Sequence, residues 1–198
     1  MIKTQTKSDL AEYWGSRYKN NTTGWDMQMV SPPLKAYFDQ LLNKNIKILI
    51  PGCGNAYEAE YLIENNFTNI HVLDIAEEPL LNLKQRVKQP SHLHIHNADF
   101  FDFNDKFDLI VEQTFFCSLK PEYRVDYSNK VAELLNEKAS LVGLLFDFPF
   151  ASGPPYGGNS NEYQSYFEAN FHTKTFQRCY NSYYKRFPKE LFINLTKK

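Results

Sequence analysis

The chain has 198 residues, with 22 Lys and Arg against 23 Asp and Glu, for a formal net charge of -1. That length suits one domain with a full core and falls short of two, and a hydrophobic share of 42% with 23% charged residues excludes wholesale disorder. The charge balance gives no attraction to nucleic acid or anionic lipid, and no apolar run approaches the length needed to span a bilayer.

The first stretch, "MIKTQTKSDLAEYW", is polar and lacks the apolar centre of a signal peptide. "SPPLKAYFDQLL" reads as a helix, with Ser31 as cap, Pro32 at the first helical position, and Leu34, Tyr37, Phe38, Leu41 and Leu42 at helical spacing. Strand-like runs then follow at 46–50, 70–73, 93–96, 107–112 and 140–148, alternating with helix-like runs at 56–65, 79–87 and 122–135. The tail, "FHTKTFQRCYNSYYKRFPKELFINLTK", has two β-like halves about a polar turn and reads as a terminal hairpin. The alternation predicts an α/β fold: a doubly wound, mostly parallel sheet with helices on both faces. No repeat or linker divides it, so residues 1–198 form a single domain, with 1–44 as an N-terminal extension. Cys53, Cys117 and Cys179 are odd in number and make no C-x-x-C. They read as free thiols of a reducing compartment, with no disulfide frame and no zinc, and the chain is expected in the cytoplasm as a monomer.

In such a sheet, ligands lie beyond the carboxyl ends of the strands. The first strand runs into "PGCGN". No Lys stands where a phosphate loop needs one, and Tyr57 occupies the third glycine position of a dinucleotide fingerprint, so the turn suits a nucleoside without a pyrophosphate. Gly52 and Gly54 still let a ligand lie against the backbone. Asp74 ends the second strand, about 20 residues on, where a carboxylate can accept both ribose hydroxyls; it could equally cap the next helix. After the third strand, "NADFF" offers Asp99 to an adenine amino group and Phe100 to its ring. Glycine turn, ribose acid, adenine acid and aromatic, in that order, match S-adenosyl-L-methionine better than any phosphate cofactor.

At this point the chain resembles the thiopurine S-methyltransferase superfamily, and within it the plant-type halide/thiol (thiocyanate) methyltransferases. The resemblance rests on "WGSRYKNNTTGWD", on Ile50-Pro51 before the glycines where the wider class carries an acid, on "FDLIVEQTFFCSLKPEYR" and on "GPPYGG". It runs from about Asp9 to the C-terminus. It implies the Rossmann-like class I fold of S-adenosylmethionine-dependent methyltransferases, with the N-terminal helical extension as a lid and a C-terminal β-hairpin. It also implies that Trp14, Tyr18, Trp25, Gly52, Asp74, Asp99, Phe100 and Gln113 bind the cofactor, and that Tyr156 lines the acceptor pocket. Tyr18 departs from the tryptophan that relatives usually have, and at Gln113 relatives carry other polar side chains.

The physics agrees with the resemblance. The cofactor carries a sulfonium, and aromatic faces attract a desolvated cation by about 2 kcal/mol or more. Trp14, Tyr18 and Trp25 could supply such faces over the strand ends and expel water, or could simply pack the extension down. Methyl transfer to a soft anion is an in-line displacement with little acid–base demand, so alignment supplies most of the rate. Pro154 and Pro155 restrict the backbone before Tyr156, whose hydroxyl could then orient a small anion; a plain loop is the alternative. "HLHIH" places His92, His94 and His96 on one strand face, a spacing that could hold a metal, but imidazoles on the wet face of an edge strand are unremarkable. "GPPY" follows the fifth strand rather than the fourth, unlike the similar motif of nucleic-acid amino-methyltransferases. The expected function is therefore methyl transfer from S-adenosylmethionine to a small-molecule acceptor: a thiol, bisulfide, thiocyanate, halide or thiopurine-like thiol. Two other readings stay open: a nucleoside-binding protein without catalysis, serving as sensor or partner domain, and an NAD-dependent oxidoreductase, which Tyr57 disfavours.

Overall fold

The computed structural model describes residues 6–149 and 152–198. Residues 1–5 of the N-terminal extension, and Ala151 at the start of the proline loop, lie outside them. The chain opens with α1 (Lys7–Lys19), and the next elements are α2 (Pro32–Phe38), β1 (Ile48–Pro51), α3 (Tyr57–Glu64), β2 (Ile70–Asp74) and α4 (Glu77–Arg86). After them come β3 (Leu93–Asn97), β4 (Phe107–Gln113), α5 (Arg124–Leu134) and β5 (Leu135–Phe146), then α6 (Ser160–Phe167), β6 (Phe171–Arg178) and β7 (Glu190–Lys197). The seven strands form one sheet in the order β3-β2-β1-β4-β5-β7-β6. β1 to β5 are parallel, and β7 enters antiparallel between β5 and β6. The expected doubly wound sheet and terminal hairpin are both present, and the order reverses between β1 and β4, where such folds bind their ligands.

Every residue of β1 and β2 is buried, as a sheet covered on both faces requires. Ile48 and Ile50 of β1 face one core with Leu34, Phe38, Leu62, Ile63 and Leu83 from α2, α3 and α4. Leu49, one residue out of phase, faces the other core with Tyr127, Val131, Leu134 and Phe167 from α5 and α6. Each such buried Leu, Ile or Phe contributes about 1.5–3 kcal/mol.

Several expected boundaries move, each for a local reason. α2 stops at Phe38, and the chain continues through i→i+3 turns, Gln40 N–H to the Tyr37 carbonyl and Leu41 N–H to that of Phe38; Leu42 ends 94% exposed rather than on the helix face. Ser31 makes no side-chain cap. Its backbone N–H instead donates to buried Glu58 at 2.9 Å, tying α2 to α3. β5 starts at Leu135, directly after α5, because the β4 register shifts between Phe107 and Leu109 and lets Phe107 pair with Leu135. His92 lies in the 3₁₀ turn Pro90–His92, off the strand. His94 and His96 of the edge strand β3 instead meet His71 of β2: His94 stacks on it at 4.3 Å between centroids, and His71 Nδ1 lies 2.9 Å from His96 Nε2. The side chain on the other end of His71 is Asn69, whose Oδ1 lies 3.0 Å from Nε2. His71 and His96 are partnered while His94 stays exposed, and among the described residues no group of three or more His, Cys, Asp or Glu could hold a metal ion. Among them, too, no helix is long and apolar enough to cross a membrane.

Candidate active site

The carboxyl ends of β1 to β5 open into a cavity of about 760 Å³ beneath the N-terminal segment, within the range of about 300–1,000 Å³ that small-ligand sites occupy. Its floor begins at the glycine turn. Gly52 and Gly54 have φ of +54° and +52°, where side chains are strained, and a Cβ would collide with the Phe115 ring at the first and the Tyr18 hydroxyl at the second. Asp74, 8% exposed, ties this turn to the next strand. Its Oδ2 accepts from the Gly54 N–H and its Oδ1 from the Ala76 N–H, each at 2.9 Å. It does not cap α4, whose N-cap is Ala76, without a side-chain bond. Burial raises the Asp74 carboxyl to about 6, although the Ala76 and Gly54 amides draw it back.

Beyond β3, Asp99 Oδ1 accepts from the Phe101 N–H at 2.8 Å, which shapes the turn, and its other oxygen is 3.6 Å from Lys7 Nζ. Phe100 lines the cavity while its ring stacks on Tyr127 at 5.5 Å, so it is also a core residue. At the end of β4, both amide atoms of Gln113 are buried without a partner. The turn after it is braced by Glu112, which is fully buried. Its Oε1 accepts from the Phe115 and Phe116 N–H groups at 2.8 and 2.9 Å, and its Oε2 accepts from the Tyr127 hydroxyl at 2.6 Å. Burial pushes Glu112 up to about 7 against the pull of those three donors.

The cover is aromatic. α1 starts on a capping box between Thr6 and Asp9. Trp14 and Tyr18 on α1 meet Trp25 edge to face, at 5.5 and 6.0 Å between centroids. All three line the cavity, and burial together with the charge of Asp74 raises the Tyr18 phenol. The Arg17 guanidinium lies 5.5 Å from the Trp25 centroid, so that indole already serves a cation. Tyr156 also lines the cavity, after β5, and its N–H donates to the Cys117 carbonyl at 2.6 Å. Every candidate cofactor and acceptor residue named from the sequence thus borders one space.

Lys7 and Arg186 are among the cavity residues that escape the sequence reading. Lys7 joins Asp99 and Asp102, raised above its ordinary value first by the hydrogen bond to Asp102. Arg186, from the β6–β7 connection, donates to the Trp25 carbonyl at 2.5 Å and to buried Glu190 at 3.2 Å. No local motif marks either, since their partners lie 95 and 161 residues away.

The site fits S-adenosylmethionine on its own evidence. It has a glycine turn that a Cβ would fill, a buried carboxylate beside that turn, a partnerless amide and an aromatic cover. Comparisons with known proteins agree. The chain is 26% identical over 156 residues to a probable thiol methyltransferase of Arabidopsis thaliana, a match covering 76% of this chain and 69% of the relative. It is 23% identical over 199 residues to a thiopurine S-methyltransferase of Vibrio vulnificus, covering 91% of each. Its fold matches the 1,6-didemethyltoxoflavin N1-methyltransferase of Burkholderia thailandensis, solved with S-adenosylhomocysteine bound. The TM-score is 0.75 at 17% identity, over 96% of this chain and 87% of that one. The family model described as thiopurine S-methyltransferase matches residues 10–192, and the chain belongs to that family of S-adenosylmethionine-dependent methyltransferases.

Proposed function

We propose that this methyltransferase acts on a small soft nucleophile, a thiol, bisulfide, thiocyanate or halide, held at the Tyr156 end of the cavity. The observation that supports this best is that Asp74, Asp99, Phe100, Gln113, the aromatic cover and Tyr156 all line one cavity. When bound, S-adenosylmethionine supplies a methyl group on a sulfonium, open to in-line displacement by a nucleophile. The chain's own residues then have distinct tasks. Asp74 accepts from the ribose hydroxyls, Asp99 from the adenine amino group, and Phe100 offers an edge to the ring. Trp14, Tyr18 and Trp25 close over the sulfonium and exclude water, which would otherwise solvate the acceptor anion. Gln113 finds the partners it lacks. Tyr156 donates one hydrogen bond to the acceptor and aims it while leaving most of its charge free to attack. No general base is needed for an acceptor that arrives as an anion.

The test is methyl transfer from labelled S-adenosylmethionine to iodide, bisulfide, thiocyanate and a thiopurine, with headspace analysis of volatile products. Turnover with at least one of these soft acceptors is expected. Tight cofactor binding with no methylated product from any of them would return the reading of a binding protein without catalysis.

A further inference from the structure

We infer that Arg124 is a positioning residue for the acceptor: it grips the backbone on the carboxyl side of Tyr156 and so fixes how that ring enters the cavity. The inference rests on Tyr156 being the acceptor-orienting group.

Pro154 and Pro155 bring no amide donors to the loop that carries Tyr156, and the loop closes at its base where the Gly158 N–H donates to the Phe148 carbonyl at 2.9 Å. The neighbouring β4–α5 region holds the Tyr156 backbone itself. The Tyr156 N–H donates to the Cys117 carbonyl at 2.6 Å. On the other side of the same residue, Arg124 Nη2 donates to the carbonyls of Tyr156 at 3.2 Å and Gly157 at 2.9 Å. The peptide groups flanking the Tyr156 Cα are therefore both fixed from outside the loop. Arg124 is the first residue of α5, 1% exposed, and its neighbours Glu122, Tyr123 and Asp126 border the cavity while its own side chain turns inward.

A buried cation needs compensation, and this one has most of it, with Nε left without a hydrogen-bond partner. Nη1 donates to Glu162 Oε1 on α6 at 2.7 Å, and the guanidinium lies 5.1 and 5.2 Å from the centroids of Phe116 and Tyr163. A planar fork can serve two carbonyls and a carboxylate at once, which a lysine ammonium cannot do in the same plane. None of these partners belongs to the glycine turn or to the β2 and β3 ends. Loosening Arg124 should therefore disturb the acceptor end and spare the cofactor end.

The test is a double-mutant cycle between Arg124→Gln and Tyr156→Phe, read as cofactor affinity by calorimetry and as kcat and KM with bisulfide. Arg124→Gln is expected to lower kcat/KM about tenfold or more while cofactor affinity stays within about twofold, the size of one lost oriented hydrogen bond. Adding Tyr156→Phe to it should cost less than about a further twofold, because a displaced hydroxyl has little left to lose. If both single variants lose activity and the losses multiply in full, Arg124 acts independently of Tyr156 and the inference fails while the acceptor reading stands. If Tyr156→Phe alone loses nothing, the acceptor reading fails, and the inference with it. Should Arg124→Gln not fold, Glu162→Gln takes its place in the cycle, since that side chain is 34% exposed and its loss only slackens the grip. The same non-multiplying pattern is expected there, and a full product would overturn the inference.

Discussion

The floor and the cover of the cavity are held in different ways. On the floor, Asp74 and Glu112 are buried carboxylates whose oxygens accept backbone amides of the very turns that border the cavity. Such bonds are costly to break, because each broken one strands a buried polar group. The cover is fastened by ion pairs whose lysines stand in solvent, Lys7 to Asp99 and Lys19 to Glu78. Exposed pairs contribute little and are screened by salt. Half-hidden bonds from Arg186 to the Trp25 carbonyl and from Asn55 to Asp26 fasten it as well. A preformed floor under a loosely tied cover is the arrangement that the proposed lid role requires, since such a cover can open without dismantling the fold.

The largest expected effect is on the floor. Asp74→Ala should weaken S-adenosylmethionine binding by about 1.5–3 kcal/mol, the worth of hydrogen bonds to a charged group, and should also destabilise the fold by orphaning the Gly54 and Ala76 amides. Calorimetry and urea unfolding would show both, and unchanged affinity in a folded variant would remove Asp74 from the ribose site. Next comes the acceptor end, where Tyr156→Phe should lower kcat/KM for iodide or bisulfide by about tenfold, roughly 1.4 kcal/mol. A bulky neutral thiol held by apolar contacts should lose less. Equal losses for every acceptor would point to a folding defect instead.

The floor also predicts a pH response. The Asp74 carboxyl sits at about 6, and a ribose hydroxyl donates to the ionised form. Cofactor affinity should therefore rise as pH increases through about 6, and a flat profile between pH 5 and 8 would contradict the assignment. Away from the site, His71 responds with the opposite stability slope to Asp74. Burial, first, and the charge of His94 lower it from 6.5 to about 4. Between those values the unfolded chain binds the proton and the folded chain does not, so this histidine's contribution to stability is lost as pH falls from about 6.5 to 4. Asp74 and Glu112 are raised in the fold, bind protons there first, and add stability as pH falls through the same region. Urea unfolding of the chain and of His71→Gln across that range should separate the two: relative to the variant, the natural chain should weaken toward acid.

The smallest effect belongs to the cover. Proteolysis near Lys19 should be faster at high salt, where the exposed pairs are screened, and slower with S-adenosylhomocysteine present. Cutting that neither salt nor ligand alters would mean that the segment is as fixed as the floor.

How much of this is legible in the sequence follows the same division. The floor reads well because each residue stands at the end of an apolar run, and strand ends converge in a doubly wound sheet whatever their separation. The cover reads only through its aromatics. Arg186 and Arg124 are invisible to local pattern, since what they hold is a carbonyl brought near by the fold. α6 is missed although a signal exists: Asn159 accepts from the Glu162 N–H, and Tyr163 and Phe167, four residues apart, form its buried face. One helical turn's worth of apolar spacing among Ser, Asn and Gln is too weak to stand out. Asp74 shows a limit of another kind. Its position is legible, but the task of bracing the glycine turn, which the structure adds, is not.

A crystal structure of the chain with S-adenosylhomocysteine tests the arrangement most directly. The ribose hydroxyls should lie within hydrogen-bond distance of Asp74 with the Gly54 and Ala76 amides still on its carboxylate, the adenine between Asp99 and Phe100, and the Gln113 amide newly partnered. The homocysteine sulfur should sit under Trp14, Tyr18 and Trp25 and face Tyr156. A ligand bound with its ribose away from Asp74, or with its sulfur turned from Tyr156, would contradict the site.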